Sequence, residues 1–82
     1  MSHWNYRVVK QHLTICIGFT IHEVYYDDSY GIVGWSGAHN PYGEDMEEIA
    51  SDIEMMRAAL SKPCLVLVKD EATGRETLVE EQ

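Results

Sequence analysis

The sequence predicts an α+β fold: a three-stranded antiparallel meander, one amphipathic helix and a short fourth strand, in the order β-β-β-α-β. Three observations carry this reading. Residues 4–38 hold three runs of alternating or β-branched character separated by polar turns. An apolar stripe at helical spacing follows, and it ends at a proline. A short apolar run then follows Pro63.

The first strand covers residues 4–10, with Trp4, Tyr6 and Val8 on one side and Asn5, Arg7 and Val9 on the other. After a polar turn, residues 15–26 form a long second strand. Ile15, Ile17, Phe19 and Ile21 share one of its faces and give the clearest core signal in the sheet. Gly18 is a candidate bulge. Asp27-Asp28-Ser29-Tyr30-Gly31 is turn chemistry, and residues 32–38 form a third strand weakened by Gly34 and Gly37.

His39-Asn40-Pro41-Tyr42-Gly43 breaks the chain again. Asp45 followed three residues later by Glu48 then reads as a capping box, with Asp in place of Ser or Thr. Met46, Ile49, Ile53, Met56 and Leu60 recur at helical spacing, which predicts that Ile53 is buried against Ile17 and Phe19. Pro63 stops the helix, and residues 64–68 make the fourth strand, parallel to the third and hence to the first. The domain is single, with its core in residues 4–68. Residues 69–82 are an acidic tail that either adds a short strand at Leu78-Val79 or frays.

Composition narrows the function. The chain has 82 residues, 45% hydrophobic and 24% charged, enough for one modest core. Fourteen acidic against six basic side chains give a net charge of -8, which repels phosphate backbones and argues against nucleic acid as a partner. No apolar run is long enough for a membrane span, and the first residues lack a signal-peptide core, so a cytoplasmic location is expected.

Gly43-Glu44-Asp45-Met46-Glu47-Glu48-Ile49, following a meander and preceding Pro63 with its apolar run, resembles the helix start of HicB-like antitoxins. That resemblance spans residues 4–68 and implies a HicB-like fold. The motifs Trp4-Asn5-Tyr6-Arg7-Val8, His22-Glu23-Val24-Tyr25-Tyr26-Asp27 and Pro41-Tyr42-Gly43-Glu44 are also similar to those of a family of small bacterial proteins. This second likeness implies a fold and no particular activity. Typical HicB antitoxins carry an operator-binding unit, for which the residues after Val68 are too few and too acidic. The implied partner is therefore a protein, such as a basic HicA-type toxin.

The residues themselves offer little catalytic chemistry, and no enzyme, cofactor or metal is expected. His22 and Glu23 are adjacent on a strand and point to opposite faces. The histidines lack the spacing of a helical zinc site, although His22, His39 and a carboxylate make a conceivable cluster. Cys16 and Cys64 sit in apolar runs and read as reduced core thiols. Asp27 and Asp28 read as ordinary turn residues rather than as partners of Glu44 or Asp45 in an acid–base or hard-cation site. Gly31, Gly34 and Gly37 match no phosphate-binding fingerprint.

Aromatic residues are the most informative group. One helix covers one face of a sheet, so some rings are left to line the other face or the rim. The candidate interaction surface is Trp4, Tyr25, Tyr26, Trp35, Tyr42, Leu65 and Leu67, with Trp35 as its anchor and Glu47 and Glu48 steering a basic partner. The uncharged run at residues 65–68 would be a pairing template at a sheet edge, which predicts a homodimer unless the tail covers it. The leading expectation is thus a non-enzymatic interaction module acting as a homodimer or through a basic protein partner. The alternative is a small-molecule binder with an aromatic-lined pocket between helix and sheet.

Overall fold

The computed structural model describes residues 2–81. It is an α+β structure with one five-stranded, curled, mixed sheet and one helix. The strands are β1 (Ser2–His12), β2 (Ile17–Asp27), β3 (Gly31–Ala38), β4 (Leu65–Lys69) and β5 (Glu76–Glu80), and the helix α1 is Met46–Ala58. A 3-10 turn, Ala59–Ser61, extends α1 towards Pro63. The sheet order is β3-β2-β1-β4-β5.

Local chemistry accounts for the connections. At the β2–β3 turn, Asp27 accepts from Ser29 N through its side chain at 2.8 Å and from Tyr30 N through its carbonyl at 3.2 Å. Gly31 closes that turn at φ +74°, a conformation that costs glycine little. Asp45 is extended (φ -146°, ψ 177°), and its Oδ1 accepts from Glu48 N at 2.8 Å. The return bond of the capping box comes one residue early, since Glu48 Oε1 accepts from Glu44 N at 3.1 Å. Asp45→Ala is expected to cost roughly 0.5–2 kcal/mol, through the lost acceptor and the lost negative charge at the helix start. An unchanged urea midpoint would refute that role.

β1 and β2 pair without interruption from Ser2↔Asp27 to His12↔Ile17, so Gly18 lies in a regular ladder opposite Gln11 and makes no bulge. The irregularities fall on β3 instead. Between His22↔Ala38 and Val24↔Trp35, and again between Tyr25↔Gly34 and Tyr26↔Ile32, β3 advances one residue more than β2. β4 runs parallel to β1 through Val9↔Leu65 and Lys10↔Val66, as expected for a crossover through α1. The tail folds back as β5, and its ladder covers all five residues of β4. The β4 edge expected to recruit a second chain is therefore occupied from within.

Two cores sit on opposite faces of the sheet. On the inner face, Val9, Val24, Leu65 and Leu78 are buried, with Tyr26, Ile32, Trp35 and Leu67 packed against them. This cluster draws buried side chains from β1, β2, β4 and β5 and has β3 side chains packed against it, so it runs across one side of the curled sheet. On the outer face, Met56 and Ala59 pack on Tyr6, with Val8 and Ile21 beside them.

The face assignment of β2 and the expected helix stripe need correction. Ile17 is 51% exposed, Phe19 62% and Ile53 46%, so Ile53 is not buried against that pair; Ile15 and Met46 are more exposed still. The inward residues of α1 and its 3-10 turn are Ile49, Asp52, Met56 and Ala59: Ile49 and Met56 of the expected line are kept, whereas Met46, Ile53 and Leu60 face water and Asp52, expected to face water, turns inward. The reason is placement: α1 and its 3-10 turn meet the sheet through Met56 and Ala59, at Tyr6 with Val8 and Ile21 beside it. The helix covers the rows of Tyr6, Val8 and Ile21 and leaves the rest of that face bare. Cys16 is likewise exposed, in the bend before β2, while Cys64 is half-buried, and both are free thiols.

Candidate interaction surface

The bare part of the outer face follows from the ladder. Strand alternation puts Ile17 and Phe19 on the same side as Ile21, and Lys10 on the same side as Val8. Register then aligns Phe19, Lys10, Val66 and Val79 in one cross-strand row, with Val68 on the same side of β4. Phe19, Ile17, Val68 and Val79 are all exposed, and Val66 is half-buried. Within this row Lys10 Nζ pairs with Glu81 Oε2 at 2.7 Å. Together these side chains expose an apolar area on the order of a few hundred Å², comparable to the largest patch of an ordinary monomer, with Lys10 and His12 of β1 set among them.

The aromatic residues singled out from the sequence do not converge. Trp4 and Tyr25 are exposed partners across β1 and β2 on the outer face, and Tyr42 is exposed in the loop before α1. Tyr26 lies on the inner face, where its hydroxyl donates to Asn5 Oδ1 at 2.7 Å and accepts from Arg7 Nη1 at 3.1 Å. Trp35 and Leu67 pack on the inner core. Leu65 is 0% exposed, so it belongs to the core and not to a surface. β4 is an interior strand once β5 has paired with it, and that burial removes Leu65 from any interface.

Next to α1 lies a polar cluster that the sequence did not announce. Tyr6 donates its hydroxyl proton to Asp52 Oδ1 at 2.6 Å, and Tyr42 N donates to Asp52 Oδ2 at 2.9 Å. His39 follows β3, held there by His39 N donating to Ile21 O at 2.8 Å. Its ring lies between Glu23 (Nδ1 to Oε2, 3.4 Å) and Asp52 (Nε2 to Oδ2, 4.0 Å). Tyr25 donates to Glu23 Oε1 at 3.0 Å. The cluster joins sheet, loop and helix, and its signal in the sequence was the inward line 49, 52, 56, 59, which places a carboxylate on the packed side of α1.

Hydrogen bonds from Tyr6 and from the Tyr42 amide, with His39 adding to them, hold the Asp52 carboxyl below the usual carboxylate range against the opposing effect of burial. A depressed native value stabilises the fold above the ordinary aspartate pKa of about 4, and this contribution is lost as pH falls through the native value. Burial, and then Asp52, push the Tyr6 hydroxyl above its ordinary range, so its contribution is complete below about pH 10 and falls as pH rises beyond that. Asp52→Asn is expected to flatten the acid limb of a stability profile measured from pH 7 to pH 3. Equal acid losses in variant and wild type would show that Asp52 carries no part of that limb.

The other candidate chemistry is structurally engaged. His22 is buried on the inner face, with Nδ1 2.9 Å from Ser36 O and Nε2 2.7 Å from Thr20 Oγ1. A carbonyl only accepts, so Nδ1 carries a proton. Arg7 is also buried, and its Nη2 donates to Pro63 O at 2.6 Å, tying β1 to the segment that enters β4. Among the described residues no three His, Cys, Asp or Glu side chains are placed to hold a metal ion, so His22 and His39 do not come together with a carboxylate. Nor does a pocket open among them between helix and sheet. No helix among them is long and apolar enough to cross a membrane.

No family model matches the chain, and no curated protein or solved structure matches it either.

Proposed function

We propose that this chain is a non-enzymatic protein-interaction module of HicB-like, antitoxin type, and that the bare part of its outer face is the binding surface. The single observation behind this reading is the set of exposed apolar side chains Phe19, Ile17, Val68 and Val79 on one face of the sheet, with half-buried Val66 among them and the ion-paired Lys10 between Phe19 and Val66, beyond the rows on which α1 packs. The likeness to HicB-type antitoxins rests on the order meander, capped helix, strand after Pro63, and on the Gly43 to Ile49 segment that starts the helix. The net charge of -8 suits a basic partner and speeds its encounter at low salt.

The test is affinity capture from bacterial lysate at low and moderate salt, with wild type beside Phe19→Gln, and light scattering across concentration on both. Association that wild type shows and Phe19→Gln loses is the expected result. Identical captures by both chains, with no concentration-dependent association, would overturn the reading. A large thermal shift from one metabolite, without any protein partner, would replace it with small-molecule binding.

A further inference from the structure

We propose that residues 40–62, with α1 at their centre, form a strap that opens from the outer face and regulates the surface described above. Asp52 is its latch and Tyr6 the catch. The proposal rests on the interaction reading and adds the control of the same face.

The strap is pinned at its two ends. His39 N donates to Ile21 O at 2.8 Å where the chain leaves the sheet, and Arg7 Nη2 donates to Pro63 O at 2.6 Å where it returns. Between these pins only Met56 and Ala59 are buried. Both lie late in the segment, and residues 46–55 contribute no more than the half-buried Ile49 and Asp52. Asp52 supplies the polar hold. Its Oδ1 accepts from the Tyr6 hydroxyl at 2.6 Å, and the His39 ring lies 4.0 Å from Oδ2. A segment with so few buried apolar side chains opens more readily than the strands beneath it.

The loop and the helix start lift as one piece. Tyr42 N donates to Asp52 Oδ2 at 2.9 Å and Glu44 N to Glu48 Oε1 at 3.1 Å. Gly43 sits so close to the first turn that a Cβ there would lie 2.7 Å from Glu48 C.

Opening changes what the outer face offers. Under the closed strap lie Tyr6, Val8 and Ile21. Val8 is the ladder partner of Ile21, and Ile17, Phe19 and Ile21 follow one another along the same side of β2. With the strap lifted, Tyr6, Val8, Ile21, Phe19 and Ile17 make one strip, with the paired Lys10 beside Phe19. A partner that needs the whole strip binds only the open state, and its apparent affinity scales with the open fraction.

The experiment has two arms on the full chain. Amide hydrogen exchange is followed at increasing urea, kept below the unfolding midpoint. Amides of Ile49 to Met56 are expected to exchange through an opening nearly independent of urea, and at least tenfold more frequent than that of the β1 and β2 amides. The second arm titrates Nile red, a neutral probe of apolar surface. Tyr6→Phe keeps the ring and removes the hydroxyl, so it should bind the dye about tenfold more tightly than wild type. Phe19→Gln should bind it more weakly. Exchange of α1 with the same urea dependence as the strands would overturn the strap, and this measurement needs no variant. Unchanged exchange and dye binding in Tyr6→Phe would overturn the latch. Dye binding by Phe19→Gln equal to wild type, beside the expected exchange, would remove the interaction surface and with it the strap's regulatory role.

Discussion

Leu65→Ala is expected to lower unfolding stability by about 2–5 kcal/mol, a large fraction of what a domain of this size holds. Leu65 is fully buried at the start of β4, directly beside Val9 in the parallel ladder and packed with Val24 and Leu78. Truncation removes the transfer energy of the lost atoms and leaves a cavity between strands that cannot close without shifting the ladder. The contrast within the same molecule is Ile53→Ala, which should stay within about 1 kcal/mol because that side chain is half in water. Urea denaturation of both variants checks the pair. Equal midpoints would show that the inner face is not the principal core.

Gly43→Ala is expected to cost about 3 kcal/mol or more, the upper range for inserting atoms where none fit. A Cβ at this position would fall on Ile49 N and lie 2.7 Å from Glu48 C and 2.8 Å from Glu48 Cβ. Two of these obstacles are backbone atoms of the capped first turn, so no rotamer change relieves the contact. The loop must lift from the helix start, taking with it the Glu44 and Tyr42 amides that bond Glu48 and Asp52. Gly37→Ala, which meets nothing within 4 Å, is the control and should change the midpoint far less. Similar losses in both would show that the close approach at Gly43 does not set the cost.

Much of the chain order was written in local pattern. Period-two alternation set β1 and β2, Asp27 to Gly31 set their neighbouring turn, and Asp45 with Glu48 set the start of α1, because each depends on residues a few positions apart. The parallel placement of β4 followed from a helix between two strands of one sheet. Which side of each element is buried was a different matter. Ile15, Ile17, Phe19 and Ile21 are the strongest apolar face in the sequence, yet only Ile21 reaches a covered row, because α1 and its 3-10 turn meet the sheet at Tyr6, Val8 and Ile21 and leave the others exposed. The weaker face, with His22 and Val24, is buried because side chains from every strand of the curled sheet, Trp35, Ile32, Leu67 and Leu78 among them, share one cluster on that side. Strand alternation names two faces without ranking them. The tertiary structure ranked them through the curl of the sheet, the position of the helix and the return of β5, and by the same three facts it placed the candidate binding surface on Phe19, Val68 and Val79 rather than on Leu65 and Trp35.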